Sequence, residues 1–244
     1  MPSCEAWYVA RTMQTLELLA FRPLSAPQVA AALQVHPRTA RRLLTRLKDE
    51  GYLTRTDDAR RLYSPSMRVV ALAGQIVAHA PLARRALPYV ARLHEQTGAD
   101  AHLAVPSYQS ALCVVHHDAD TTARPQPREL VPSHCTATGK ALLGWRDPWR
   151  ESVLSQPLER FTERTLVDPA DLERDAELTR ERGYATDDGE FRDGVRAVAA
   201  PVFSGGEAVA ALGASGPSVD IEAVAERVVV LAGELTHALQ EDHG

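Results

Sequence analysis

The sequence predicts an α+β fold in two modules: a small N-terminal one of three helices and a β-hairpin, and a larger C-terminal one in which helices flank a largely antiparallel sheet. Three observations predict it. Apolar residues recur at helical spacing in three short segments before residue 50. Two alternating segments, 52–55 and 61–63, flank the polar turn Asp57-Asp58-Ala59-Arg60. Beyond residue 80, short apolar runs set off by turn residues mix with well-marked helices, the pattern of a sheet covered by helices. The expected boundaries are 1–65 for the first module, 66–80 for a connecting helix and 81–244 for the second.

A chain of 244 residues is long enough for two modest cores. Its 45% hydrophobic and 24% charged residues are ordinary for a globular protein. Cys4, Cys113 and Cys135 form no CxxC pair, so neither a disulfide framework nor a zinc ribbon is suggested, and a reducing cytoplasm fits best. The N-terminus has no apolar signal-peptide core, and the longest apolar stretch, 69–80, contains Gly74, Gln75 and His79 and is too short to span a bilayer. No membrane partner is expected. The net charge of −5 is unevenly divided. Residues 1–65 hold ten Lys+Arg against six Asp+Glu, +4, and the remainder 17 against 26, −9. One module that meets phosphates and one that does not would divide charge in this way.

Met13, Leu16, Leu19 and Ala20 mark a first helix over 12–20, broken by Phe21-Arg22-Pro23-Leu24. Ser25 stands three residues before Gln28, the capping-box spacing, and opens a short second helix through Val29, Ala30 and Leu33. Val35-His36 makes a tight break. Pro37 suits the first turn of a third helix, which Gly51 ends. In that helix Ala40, Leu43, Leu44 and Leu47 share one face. At ~100° per residue Arg38, Arg42 and Thr45 fall on the opposite face, with Arg41 on its flank. Such a helix fits the DNA major groove, where arginine can donate two hydrogen bonds to guanine O6 and N7. In a helix-turn-helix the base contacts come from the N-terminal part of the second helix, here Arg38, Thr39, Arg41 and Arg42, with Thr45 a turn further on. A solvated basic face is the plainer reading of this helix in isolation. The helix pair before it and the hairpin after it favour a winged helix-turn-helix, whose wing residues Arg55, Arg60 and Arg61 could reach flanking phosphates or the minor groove.

The connecting helix (Met67, Val70, Leu72, Ile76, Val77) is too apolar for a free linker and suits packing between two chains or within one. A helix over 82–97 is bent or broken at Pro88 and ended by Gly98. Strands over 101–105 and 111–116 flank the turn Pro106-Ser107-Tyr108-Gln109, and His102 sits on the first of them. Prolines make 125–132 an edge strand or an irregular one. Thr136-Ala137-Thr138-Gly139-Lys140 leads into a helix over 141–145, whose free N–H groups and positive dipole end suit an anion. A helix from Asp168-Pro169 to Gly183 precedes an acidic loop at Asp187-Asp188. Strands over 195–203 and 208–215, and a helix over 221–239, complete the chain.

The order of these segments resembles the IclR family of transcription regulators over nearly the whole chain. The resemblance is carried by Leu16-Glu17-Leu18-Leu19-Ala20, Arg22-Pro23-Leu24-Ser25, Arg42-Leu43-Leu44, Thr138-Gly139-Lys140-Ala141-Leu142-Leu143, Leu158-Glu159-Arg160-Phe161-Thr162, Arg182-Gly183-Tyr184-Ala185, Gly194-Val195-Arg196, Ala199-Ala200-Pro201-Val202 and Ser215-Gly216-Pro217. It implies a winged helix-turn-helix, a linker helix and a GAF-like effector-binding domain. It also implies dimers or dimers of dimers on a pseudo-palindromic DNA operator, and control of a nearby, catabolic operon by a small metabolite, an organic acid or aromatic compound. The implied effector pocket comprises Ala137, Thr138, Asp187, Ala197, Gly213 and Ser215, to which His102 can be added from its strand. Where a keto-acid-binding member has cysteine and serine, this chain has Ala197 and Gly213, so a roomier, less polar pocket and a larger or more apolar ligand are expected.

Other functions have weaker support. The chain has no GxSxG elbow, P-loop or GxGxxG after a strand, so no enzyme and no cofactor is expected. Metal modulation would draw on His116-His117-Asp118 or His134-Cys135, but adjacent residues of a strand point to opposite faces, so no metal site is expected. A DNA binder without an effector is the remaining alternative.

Overall fold

A computed structural model describes residues 4–57, 61–125 and 130–241. Arg60 lies outside them. The chain forms two compact units, Met1–Gln75 and Ile76–Gly244, divided within the connecting helix.

The first unit contains α1 (Cys4–Phe21), α2 (Ala26–Ala32), α3 (Pro37–Asp49), β1 (Leu53–Asp57), β2 (Leu62–Pro65) and the start of α4 (Met67–His79). Gln28 accepts the backbone N–H of Ser25 at 2.8 Å at the start of α2. Nδ1 of His36 accepts the Arg38 N–H at 3.2 Å at the start of α3. Gly51 follows α3 in the left-handed region, with φ 79°. Ala40, Leu43, Leu44 and Leu47 are buried against Leu19, Leu24, Val29, Leu33, Leu53 and Tyr63. Each fully buried leucine contributes about 1.5–3 kcal/mol. The buried stripe of α1 differs from the expected one. Thr15 and Leu19 are buried, whereas Met13 is 54% exposed. The Thr12 and Thr15 hydroxyls donate to the carbonyls of Tyr8 and Arg11 at 2.8 and 2.7 Å, which lets threonine occupy an inward-facing position.

β1 and β2 pair antiparallel from Leu53↔Pro65 to Asp57↔Leu62. Leu24 exchanges two backbone hydrogen bonds with Tyr63, at 3.1 and 2.9 Å, tying the hairpin to the loop before α2. The start of α4 is tied to the same body. The Ser66 hydroxyl donates to the Gly51 carbonyl at 2.6 Å, and the Arg68 guanidinium donates to the Glu50 carbonyl while lying over the Tyr52 ring.

The second unit contains α5 (Pro81–Thr97), β3 (Asp100–Ser107), β4 (Ser110–Asp118), β5 (Thr121–Pro125), β6 (Leu130–Pro132), α6 (Ala137–Leu143), α7 (Asp147–Leu154), α8 (Pro169–Arg182), β7 (Ala185–Asp188), β8 (Arg196–Ser204), β9 (Glu207–Gly216) and α9 (Ile221–Glu241). The sheet order is β5-β4-β3-β9-β8-β7, with β6 pairing along the other half of β4, and the pairings are antiparallel. Alternation along the strands separates two faces. Leu103, Val115, Val198 and Leu212 meet α5 and α9. Ala104, Ala199 and Ala211 meet α6 on the opposite face. Small residues there let α6 lie close to the sheet.

Several local expectations are corrected. Of the two alternatives at Pro88, a break does not occur, since α5 continues through it. α6 starts at Ala137, before the expected 141. Asp187 and Asp188 end strand β7 rather than forming a loop. Ala185 and Asp187 of this four-residue edge strand are buried and Asp188 is exposed, and so short and polar a segment does not read as a strand. β5 and α7 add to the expected elements. Among the described residues, no helix is long and apolar enough to cross a membrane.

Candidate functional site

In the first unit α3 exposes Arg38, Arg41, Arg42 and Thr45 on the side away from its leucines, and Thr39 is half-buried. Arg41 and Thr45 share a groove with Arg55 of β1, Arg61 before β2 and the start of α2. Tyr63 steadies Arg55, whose guanidinium lies 5.6 Å from the ring centroid. Arg42 faces the α1 side, 5.3 Å over the Tyr8 ring, in a second hollow shared with Arg46. The structure thus brings together Arg41, Thr45, Arg55 and Arg61 and sets Arg42 beside them on α3. Arg38 and Thr39 line neither hollow. A surface of this kind can hold an extended polyanion, because several guanidinium groups flank one depression.

In the second unit a cavity of about 290 Å³ lies on the α6 side of the sheet. Strand register explains its composition. Asp187, Ala197, Ser215 and Asp100 pair in one row across β7, β8, β9 and β3, and all four line the cavity. His102, two residues beyond Asp100 on the same face, lines it too, as do Ala137 and Thr138 at the start of α6.

Gly213 does not line the cavity. A Cβ there would lie 3.1 Å from both the Thr138 Cγ2 and the Ala199 Cβ, so the space that glycine frees is filled by packing between α6 and the sheet. The expectation of a roomier pocket fails at this position, and the volume is close to the lower end, roughly 300 Å³, for small-molecule sites. The start of α6 is also less open to an anion than expected. Thr136 Oγ1 accepts the Gly139 N–H at 3.3 Å, and the helix has only seven residues.

Electrostatics differ along the cavity. Burial pushes the Asp187 carboxyl above its usual range, opposed by hydrogen bonds from backbone N–H groups and by Lys140. One of its oxygens accepts the Glu190 N–H at 2.7 Å, so Asp187 orders the turn that carries Phe191 and Arg192 to the cavity. Glu190 itself is pushed up to about 7 by burial, although the buried Lys140 ammonium lies 2.5 Å away and favours its charged form. This pair ties α6 to the same turn. Burial, and secondarily His116, lowers His102 to about 4, so its ring is neutral at pH 7.

His116, Asp118, Phe191 and Arg192 also line the cavity and are not among the residues expected there. The signal for two of them was present: residues 116 and 118 alternate onto one face of a strand. Their side chains meet at 2.8 Å. His117 points the other way and stacks on His94 at 4.2 Å, while His134 contacts the Glu159 carbonyl at 2.9 Å. No group of three or more His, Cys, Asp or Glu arranged to hold a metal occurs among the described residues.

Comparison with known proteins adds four findings. The sequence model described as "Bacterial transcriptional regulator IclR C-terminal" matches residues 74–239. The chain is 30% identical over 240 residues to the HTH-type transcriptional regulator BhcR of Paracoccus denitrificans, covering 94% of this chain and 86% of that protein. It is 30% identical over 206 residues to the glycerol operon regulatory protein of Streptomyces coelicolor, covering 80% of each. Among solved structures, an IclR homolog from Microbacterium hydrocarbonoxydans complexed with 4-hydroxybenzoate superposes with a TM-score of 0.72 at 25% identity, covering 95% of this chain and 98% of that one.

Proposed function

Because the chain belongs to the IclR family of bacterial transcriptional regulators, we propose that its first unit is a winged helix-turn-helix that binds duplex DNA and that its second unit is a GAF-like domain holding a small-molecule effector. The protein is a regulator and not an enzyme. Domain limits of 1–65, 66–80 and 81–244 accompany this reading. One observation carries it: Arg41, Thr45, Arg55 and Arg61 line a single groove on the unit whose α3 is anchored by buried leucines. α3 is the recognition helix, with Arg38, Thr39, Arg41, Arg42 and Thr45 nearest the bases. The β1–β2 hairpin is the wing, with Arg55, Arg60 and Arg61 on flanking phosphates or the minor groove.

Two copies would read the two halves of a pseudo-palindromic operator. The exposed Met67, Val70, Leu72 and Ile76 of α4 support pairing between chains, as a dimer or a dimer of dimers. The effector site takes in Ala137, Thr138, Asp187, Ala197, Ser215 and His102, with Gly213 shaping the contact between α6 and the sheet. The effector is an organic acid or an aromatic compound, a class supported by the neighbour complexed with 4-hydroxybenzoate. The operon controlled lies near the gene. Binding would favour one of two arrangements of α6 and the turn at 188–194, and through α4 change how readily the two DNA-binding units match their half-sites.

The test is selection of genomic fragments by the purified chain, followed by titration of the recovered duplex. Enrichment of a pseudo-palindrome whose binding weakens or strengthens with a cavity ligand is expected. Retention of no duplex in preference to random DNA would refute the DNA reading, and unchanged operator affinity at saturating ligand would remove the coupling.

A further inference from the structure

A single residue, Ser66, separates β2 from α4, and it joins two helices. Its hydroxyl donates to the Gly51 carbonyl just past the end of α3, at 2.6 Å, and accepts the Arg68 N–H in the first turn of α4, at 3.3 Å. Its backbone N–H donates to the Tyr52 carbonyl at 2.8 Å. Arg68 completes the clamp. The last carbonyls of an α-helix lack partners within the helix. The Arg68 guanidinium donates to the carbonyl of Glu50, the C-cap of α3, and lies 4.6 Å from the Tyr52 ring centroid. Both the dipole at a helix C-terminus and an aromatic face favour a cation there. Gly51, at φ 79°, leaves the room, since a Cβ on it would lie 3.3 Å from Nη1 of Arg68. Ser66 and Arg68 line neither the arginine groove nor the hollow beside Tyr8. Their side chains are spent on the angle between α3 and α4.

We propose that Arg68, with Ser66, sets the operator spacing: the clamp fixes α3 to α4, so two copies paired along α4 accept half-sites at one separation. The inference rests on the DNA reading and on pairing through α4, and it adds the side chains that hold the geometry. Changing the spacer by one base pair moves a half-site by roughly 3.4 Å and turns it by roughly 35°. A clamped α3 cannot follow that displacement, and the gain from engaging both half-sites is lost. Arg68 is a positioning residue and acts through α3, not on the bases.

The test rebuilds the half-site recovered by genomic selection into synthetic duplexes. One carries a single copy. The others carry two copies at the natural spacer and at spacers one and two base pairs shorter and longer. Full-length wild type, Arg68→Ala and the double variant Ser66→Ala/Arg68→Ala are titrated by fluorescence anisotropy, with sedimentation to establish that each remains paired. The wild type should lose at least about tenfold in affinity at every altered spacer. In the double variant that loss should shrink to below about threefold, with Arg68→Ala between the two, while single-copy binding stays within about twofold of wild type. A spacing penalty that survives in both variants would overturn the proposal. So would an equal loss on all duplexes with a shallower salt dependence, the behaviour of a phosphate contact. A wild type indifferent to spacing overturns it as well and leaves DNA binding standing. A wild type that binds two copies no more tightly than one removes the pairing on which the proposal rests, and one that prefers no duplex over random DNA removes the DNA reading itself.

Discussion

Replacing Gly139 with alanine probes the contact on which the cavity depends. A Cβ at this position would lie 2.4 Å from both the Cα and the carbonyl oxygen of Ser133, where ordinary contact begins at 3.4 Å. Both obstructing atoms are backbone, so relief requires α6 and the 133–136 segment to separate by about 1 Å. Overpacking of this kind costs about 1–3 kcal/mol, and a rigid backbone neighbour puts the penalty near the top of that range. Alanine regains at most about 1 kcal/mol of helix propensity over glycine. The net effect is a loss of about 2 kcal/mol, which for a unit of this size lowers Tm by roughly 4–8 °C. Thr138, in contact with both the cavity and Gly213, would move with the helix, so ligand affinity should fall as well. Differential scanning calorimetry of the full chain measures the first effect and ligand titration the second. A Gly139→Ala protein with unchanged or raised Tm would refute the close-packing account of α6.

Three further outcomes are expected. Leu44→Ala, at a fully buried position of the first unit, should destabilise that unit by about 2–5 kcal/mol in urea unfolding, with little change in the second. Arg61→Ala should weaken binding to all duplexes alike and reduce the slope of log affinity against log salt by about 1, measured by fluorescence anisotropy. The third concerns pH. His102 has a folded value of about 4, below the usual 6.5, so the unfolded chain binds more protons between those values and the His102 contribution to stability is lost as pH falls from about 6.5 to 4. Glu190, raised to about 7 from 4.5, acts in the opposite sense, its contribution being lost as pH rises through that window. The difference between the wild type and His102→Phe isolates the histidine. The stability of the wild type relative to the variant should decline on acidification from pH 6.5 to 4, and a difference independent of pH would contradict a neutral imidazole in the folded chain.

The readable parts of this fold were those with a strong period. α3 could be read because four apolar residues and its arginines divide cleanly between two faces, and the hairpin because its turn is polar on both sides. The buried stripe of α1 is not legible in the sequence because Thr12 and Thr15 count as polar there, yet satisfy their hydroxyls on their own helix. β7 reads as a loop in the sequence because an edge strand of four residues with two aspartates carries almost no strand signal. For the cavity, the sequence could place Asp187, Ala197 and Ser215 only through family resemblance, since their meeting depends on register between three strands. Gly213 shows the opposite problem. Its missing side chain suggested space, and only the packed structure reveals that Thr138 and Ala199 fill it.

The central claim is that α3 presents its arginines to DNA. The most direct test is titration of the selected operator with Arg41→Ala and Arg42→Ala proteins whose Tm is unchanged. Both should lose about 1–3 kcal/mol of operator affinity and relax sequence preference at the base pair each one contacts. Wild-type affinity and preference in both variants would contradict the account.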